Sequence, residues 1–149
     1  MKRLLPILLL LTFPAVTKAQ KGLNIADFFT HKFAKATLVR VEGHELKPYN
    51  LTLYRSFSIG ETAYVVDRVE QCVKADARQA YSKETGELGG RLYYAFLALP
   101  PRTGQQENRY IFYRNASLHE GGKDELTLVY MEGSVTMDEL KKLFKNNRQ

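Results

Sequence analysis

Cysteine is almost missing from this chain, which has Cys72 and no other. A lone cysteine cannot close an intramolecular disulfide, so stability has to come from a packed core. It cannot carry a lipoprotein anchor either, because that cysteine must directly follow the leader and Cys72 lies far downstream. Histidine is nearly as scarce. His31, His44 and His119 have no second ligand at the i+2 or i+4 spacing of a recognisable zinc site. His44, flanked by Glu42 and Glu45, is the least bland of the three and reads as a solvated loop histidine. Ser56, Ser58, Ser82, Ser117 and Ser134 lack the G-x-S-x-G elbow of an exposed nucleophile. Gly89–Gly90 and Gly121–Gly122 lack the lysine-bearing frame of a phosphate cradle and read as turns. On this reading there is no catalytic residue, metal site or cofactor to assign. Carboxylates are plentiful, though, and any two could meet in space as acid and base. "NLT" at 50–52 and "NAS" at 115–117 match glycosylation acceptors, a pattern short enough to arise by chance.

Long apolar runs are also absent, except at the start. "MKRLLPILLLLTFPAVTKAQ" opens on Lys2 and Arg3, stays apolar over 4–13 and breaks at Pro14. Thr17 and Ala19 then take the −3 and −1 positions of a cleavage site. This is the layout of a secretory leader, expected over 1–19, with a single domain expected over 20–149. The apolar run would span about 15 Å as a helix, roughly half a bilayer core, which is too short for an anchor. Lys2, Arg3 and Lys18 leave with the leader, so half of the formal net charge of +6 belongs to targeting. The remaining charge makes no case for nucleic acid. The expectation is a periplasmic or secreted, soluble protein that is not a lipoprotein and has no integral membrane segment after cleavage.

Hydrophobic periodicity organises the rest, with no internal repeat or linker to divide it. "GLNIADFFTHKFAKA" places Leu23, Phe28, Phe29 and Phe33 near helical spacing, with Asn24 and Asp27 as a start signal over 22–36. A strand follows over 37–42. In the next, "LTLYRSFSI", Leu51, Leu53 and Phe57 are expected on one face. The longest predicted helix covers 61–81, where Val66, Val69, Val73, Ala77 and Ala80 form a stripe. Cys72 lies beside that stripe and reads as a small buried hydrophobe. "SKETGELGG" reads as a turn. Three strands, "RLYYAFLAL", "RYIFYRNAS" and "ELTLVYMEG", come next. At the end, Thr136 and Glu139 form a capping box ahead of Met137, Leu140, Leu143 and Phe144. The order α-β-β-α-β-β-β-α predicts an α+β fold: a mainly antiparallel sheet of about five strands with helices packed on it.

The element order, the Phe-rich first helix and the closing "LTLVYMEGSVTMDELKKLF" resemble a class of small exported proteins of gut-type Gram-negative bacteria, catalogued as domains of unknown function. Gly133 and the pair Glu139–Leu140 match the similar ending of those proteins. The resemblance implies a secreted or periplasmic α+β domain and supplies no catalytic residues. Some relatives carry a lipid-attachment cysteine, which this chain lacks.

One feature asks for more. "LYYAFLAL" is apolar on both faces, whereas a sheet wet on one side alternates. Something must cover the second face, whether the terminal helices, a second subunit or another partner. Tyr93, Tyr94, Tyr110, Tyr113 and Tyr130 lie on the last three strands, with Arg91, Arg109 and Arg114 among them. Tyr and Arg are enriched in protein interfaces. The functional expectation is therefore a non-catalytic exported domain that binds a protein partner, or a second copy, through Tyr93, Tyr113, Arg91, Arg114 and Val129. The alternative is a small hydrolase or ligand-modifying enzyme assembled from scattered histidines and acids.

Overall fold

A computed structural model describes residues 22–30, 33–60 and 63–146. The expected leader over 1–19 and His31 lie outside these residues. The described elements are α1 (Ala26–Thr30), β1 (Ala36–Glu42), a 3-10 turn (His44–Tyr49), β2 (Leu51–Gly60), α2 (Ala63–Ala77), β3 (Ser82–Leu88), β4 (Arg91–Leu99), β5 (Asn108–Asn115), a second 3-10 turn (Ala116–Leu118), β6 (Glu125–Gly133) and α3 (Met137–Asn146). Six strands form one sheet in the order β1-β2-β6-β5-β4-β3, antiparallel at every pairing. This is the expected α+β class with one strand more than expected. The chain makes the β1–β2 hairpin and then crosses one sheet face through α2 to the far edge. It returns by hairpins until β6 docks against β2.

The additional strand, β3, is the stretch expected to be a turn. Nearly all of its residues are exposed, so it shows no apolar alternation. It is held by its ladder to β4 instead. Gly86 within it suits that ladder, because a Cβ there would overlap the Tyr94 ring lying across it. The expected 61–81 helix ends early, at Ala77, and residues 61–62 lie outside the described ones. Past Ala77 the chain tightens into turn bonds, and the Tyr81 amide then joins β4 through Ala98 O at 3.0 Å. Of the expected 22–36 helix the described residues show Ala26–Thr30 as helical, with 31–32 outside them. Lys35 takes a left-handed conformation (φ 66°) that swings the chain into β1.

Two apolar layers sandwich the sheet. On the first face, Leu23, Ile25, Phe28 and Phe29 of the α1 segment and Val65, Val69 and Val73 of α2 pack on Phe57, Leu97, Ile111, Tyr113, Leu128 and Tyr130. On the second, Leu140, Leu143 and Phe144 of α3 pack with Leu46 on Phe96, Phe112, Val129 and Met131. The terminal helix thus answers why β4 is apolar on both faces. α3 begins at Thr136, whose hydroxyl accepts from the Glu139 amide and donates to its carboxylate, both at 3.2 Å. The expected capping box is half formed, since Glu139 reaches the Thr136 hydroxyl and Asn50 Nδ2 (3.2 Å).

Two irregularities re-aim side chains. The β2–β6 register shifts between Leu51 and Leu53, so Leu51 joins the second-face core while Leu53 stays in the first. The two were expected on one face, and an extra residue in a ladder reverses the alternation beyond it. The β3–β4 register shifts in the same way, with Leu92 opposite Glu87 and Tyr94 opposite Gly86. Tyr93 is the residue left over. Leu92 therefore enters the first-face core, while Tyr93 and Tyr94 both turn to the second face.

Candidate functional site

α3 covers only part of the second face. Between α3 and the β5–β6 connection runs an open trough built from two adjoining hollows. One, of about 410 Å³, is lined by Glu84, Tyr94, Phe96, Phe112, Lys141 and Phe144. The other, of about 300 Å³, is lined by Ala116, His119, Gly122, Lys123, Glu125 and Thr127. Tyr93 and Arg114 belong to both and divide them. Strand periodicity explains the floor, because Phe96, Phe112 and Arg114 share one face with Thr127 on adjacent strands. The bulge adds Tyr93.

Arg114 is the distinctive group. Its Nη2 donates to the Tyr93 hydroxyl at 3.3 Å, and its guanidinium carbon lies 5.8 Å from the Tyr93 ring centroid. Its Nε is buried with no hydrogen-bond partner. An unsatisfied buried donor costs about 1–3 kcal/mol. Tyr93 also sits 6.0 Å from the His119 ring. At the other end Phe144 stacks on Phe112, with centroids 4.7 Å apart and planes 13° from parallel. Lys141 is tied to Glu84 by an ion pair along that wall. The trough therefore offers a cation with spare hydrogen-bonding capacity between aromatic surfaces. It suits an acceptor group on a flat or extended ligand.

The other expected interface residues are placed elsewhere. Tyr113 is 0 % exposed in the first-face core, because consecutive strand residues point to opposite faces and Arg114 takes the second. Burial pushes its hydroxyl well above the ordinary tyrosine value; Asn115 is near but outside hydrogen-bonding geometry. Val129 is on the second face but 1 % exposed beneath α3. Arg91, at the start of β4, faces α2, pairing with Asp67 (2.7 Å) and Glu70 (3.2 Å). An exposed patch of Tyr93, Tyr113 and Val129 therefore does not exist, and of the five expected residues only Tyr93 and Arg114 meet in the open trough.

His44 opens the 3-10 turn after β1, and the adjacent Glu42 pairs with Arg40. Cys72 is half-buried, its thiol pushed up first by desolvation and then by Asp76. Among the described residues no three His, Cys, Asp or Glu side chains gather as a metal site would require. Also among them, no helix is long and apolar enough to cross a membrane. The sequence reading missed the joining of His119, Lys141 and Glu84 to the tyrosines. The one signal for it was a charged Arg114 directly after the apolar run of 110–113.

No curated protein and no solved structure matches the chain. A family model matches residues 12–144, and the chain, with its open trough around Tyr93 and Arg114, belongs to the family of unknown function DUF6108.

Proposed function

We propose that this protein is an exported, non-catalytic binding domain of the cell envelope, and that it takes a protein partner in the trough around Tyr93 and Arg114. The leader-like segment over 1–19 supports export, with 20–149 as the working domain. The observation that carries the binding reading is Arg114: a guanidinium bonded to and lying over Tyr93 on the floor of an open hollow. A partner carboxylate or carbonyl would pair with that guanidinium where it lines the hollow, and Tyr93, Tyr94 and Phe144 would supply contact area around it. Buried aromatic and arginine anchors of this kind dominate interface energies.

The test is site-specific photo-cross-linking in cells of the source organism. A photoreactive side chain replaces Tyr93, and separately Tyr64, which is 71 % exposed on α2 on the opposite side of the sheet. One discrete adduct from position 93, absent from position 64 and lost with Arg114→Ala, supports the reading. Identical adducts from both positions, or an adduct indifferent to Arg114→Ala, overturn it.

A further inference from the structure

The two edges of the sheet are treated very differently. β3 is blunted as edge strands usually are, with Lys83, Glu84 and Glu87 along it, Gly86 inside it and a register shift against β4. β1, "ATLVRVE", has none of these devices except the mutually paired Arg40 and Glu42 (3.3 Å). It keeps seven unbroken register pairs with β2. Among the described residues no strand lies on its outer side. It also exposes Leu38 at 42 % and Val39 at 43 %, two of the few large apolar side chains left open. As neighbours on a strand these two point to opposite faces of the sheet. A ligand resting on either face covers one of them. Only a strand running alongside the edge covers both.

The backbone says which residues that strand would bond. The Gly43 amide donates to Thr52 O at 3.4 Å across the β1–β2 pairing. By alternation, Val41, Val39 and Thr37 face β2, while Ala36, Leu38, Arg40 and Glu42 present their backbone groups outward. The Ala36 amide, turned out to Phe33 O at 3.2 Å, agrees. We infer that β1 is the contact of a two-fold homodimer in which the β1 strands of two copies pair antiparallel about Leu38.

Charge rules out one of the registers a second copy could take. Centring the axis on Arg40 sets two guanidinium groups opposite each other, although Arg40 already faces Arg55 within its own sheet. Like charges directly opposite are unfavourable. Centring it on Val39 sets each Arg40 against Leu38. Centring it on Leu38 puts Leu38 on Leu38, Arg40 on Ala36 and Val39 on Thr37, with no like charges opposed. The reciprocal bonds are then Leu38 N–H to Leu38 O, and Arg40 N–H to Ala36 O. A second copy brings the same unblunted edge, so the isologous contact closes and removes both liabilities at once. The shallow hollow lined by Phe29, Leu38, Arg40 and Arg55 lies along this seam. The inference stands on residues remote from the trough and does not depend on the binding role proposed for it.

The protein, expressed from its full coding sequence, is examined by sedimentation and by cysteine cross-linking in a Cys72→Ala background. The wild type should have the mass of two chains, and Leu38→Lys the mass of one with an unchanged circular dichroism spectrum. Leu38→Cys should oxidise to a disulfide-linked dimer, since directly opposed residues in a hydrogen-bonded pair lie about 5.5 Å apart, within disulfide reach. Val41→Cys, whose two copies would be roughly 20 Å apart along the strands, should not. Tyr93→Ala should remain dimeric. A wild type that stays monomeric overturns the inference, whether or not its edge takes up an extended peptide. So does a dimer that forms without Leu38→Cys cross-linking, and so does cross-linking from both cysteine positions alike. If Leu38→Lys fails to fold, the cysteine pair decides.

Discussion

Replacing Asp76 by alanine should release the amino-terminal segment from the body of the domain. The Asp76 side chain is fully buried near the end of α2, and its carboxylate accepts three hydrogen bonds from one short stretch. The donors are the Asn24 amide at 2.7 Å, Asn24 Nδ2 at 2.8 Å and the Ile25 amide at 3.0 Å. These amides sit just before α1, where a helix leaves its first N–H groups without partners, so Asp76 does from α2 what a capping residue would do locally. α1 is five residues long, far too short to persist alone. It keeps its place through this clamp and through the Phe28, Phe33 and Phe57 rings, 5.5–5.7 Å apart. Alanine at 76 leaves the buried Ile25 amide without a partner and hands the two more exposed Asn24 donors to water. At about 1–3 kcal/mol for the buried group and a smaller loss for the other two bonds, the cost is about 2–4 kcal/mol. That corresponds to a fall in Tm of about 6–12 °C for a domain of this size. Asn at the same position keeps one acceptor and should cost about half as much. Urea unfolding gives the magnitude, and hydrogen exchange at Asn24 and Ile25 gives the location. A loss below about 1 kcal/mol, or unchanged exchange at those two amides, would refute the clamp.

Three further outcomes follow from the core. Tyr113→Phe removes a buried hydroxyl that has no partner and should be neutral or stabilising by up to about 1 kcal/mol, whereas Tyr113→Ala should cost about 3–5 kcal/mol by opening a cavity; equal losses in denaturant melts would contradict the placement. Gly133→Ala should cost about 1–3 kcal/mol, because its Cβ would overlap the backbone of Asn50 and Leu51 where β6 meets β2; a melt unchanged from wild type would count against that close approach. Alkali should unfold the protein. Tyr113 and Tyr130 are both held above the ordinary tyrosine value, first by burial and, for Tyr130, also by its bond to Glu132 at 2.5 Å. Below the unfolded-state value of about 10 both states keep these protons and the contribution is complete; above it only the unfolded chain ionises readily, so stability falls as pH rises. Tyr110, buried and likewise pushed up by desolvation, joins them, so three of the nine tyrosines should ionise only with unfolding, and full tyrosinate absorbance in a still-folded protein would disprove it.

The trough and the open edge are separate surfaces. Tyr93 and Arg114 lie toward the β4 side of the sheet, while β1 forms the opposite edge. A dimer formed through β1 leaves both troughs open, so the two proposals can succeed or fail independently.

By itself the sequence determined the elements whose signals are short-range. The valine stripe of α2, the Thr136–Glu139 start of α3 and the two-sided apolar run of β4 are patterns that one segment carries alone, and each appears in the fold. That run implied a covered second face, which α3 supplies. Tertiary structure alone decided what depends on a neighbour. β3 is a strand because β4 offers it a ladder, not because its own residues alternate. The left-handed Lys35 turns the chain into β1, and the start of α1 is satisfied by a carboxylate on α2. Above all, the bulge at Tyr93 brings that ring round to Arg114, while Tyr113, one residue from Arg114, goes into the core. A shift of one residue in register reverses a side chain's face, and register is set by the partner strand, so no reading of a single segment could have assembled the site.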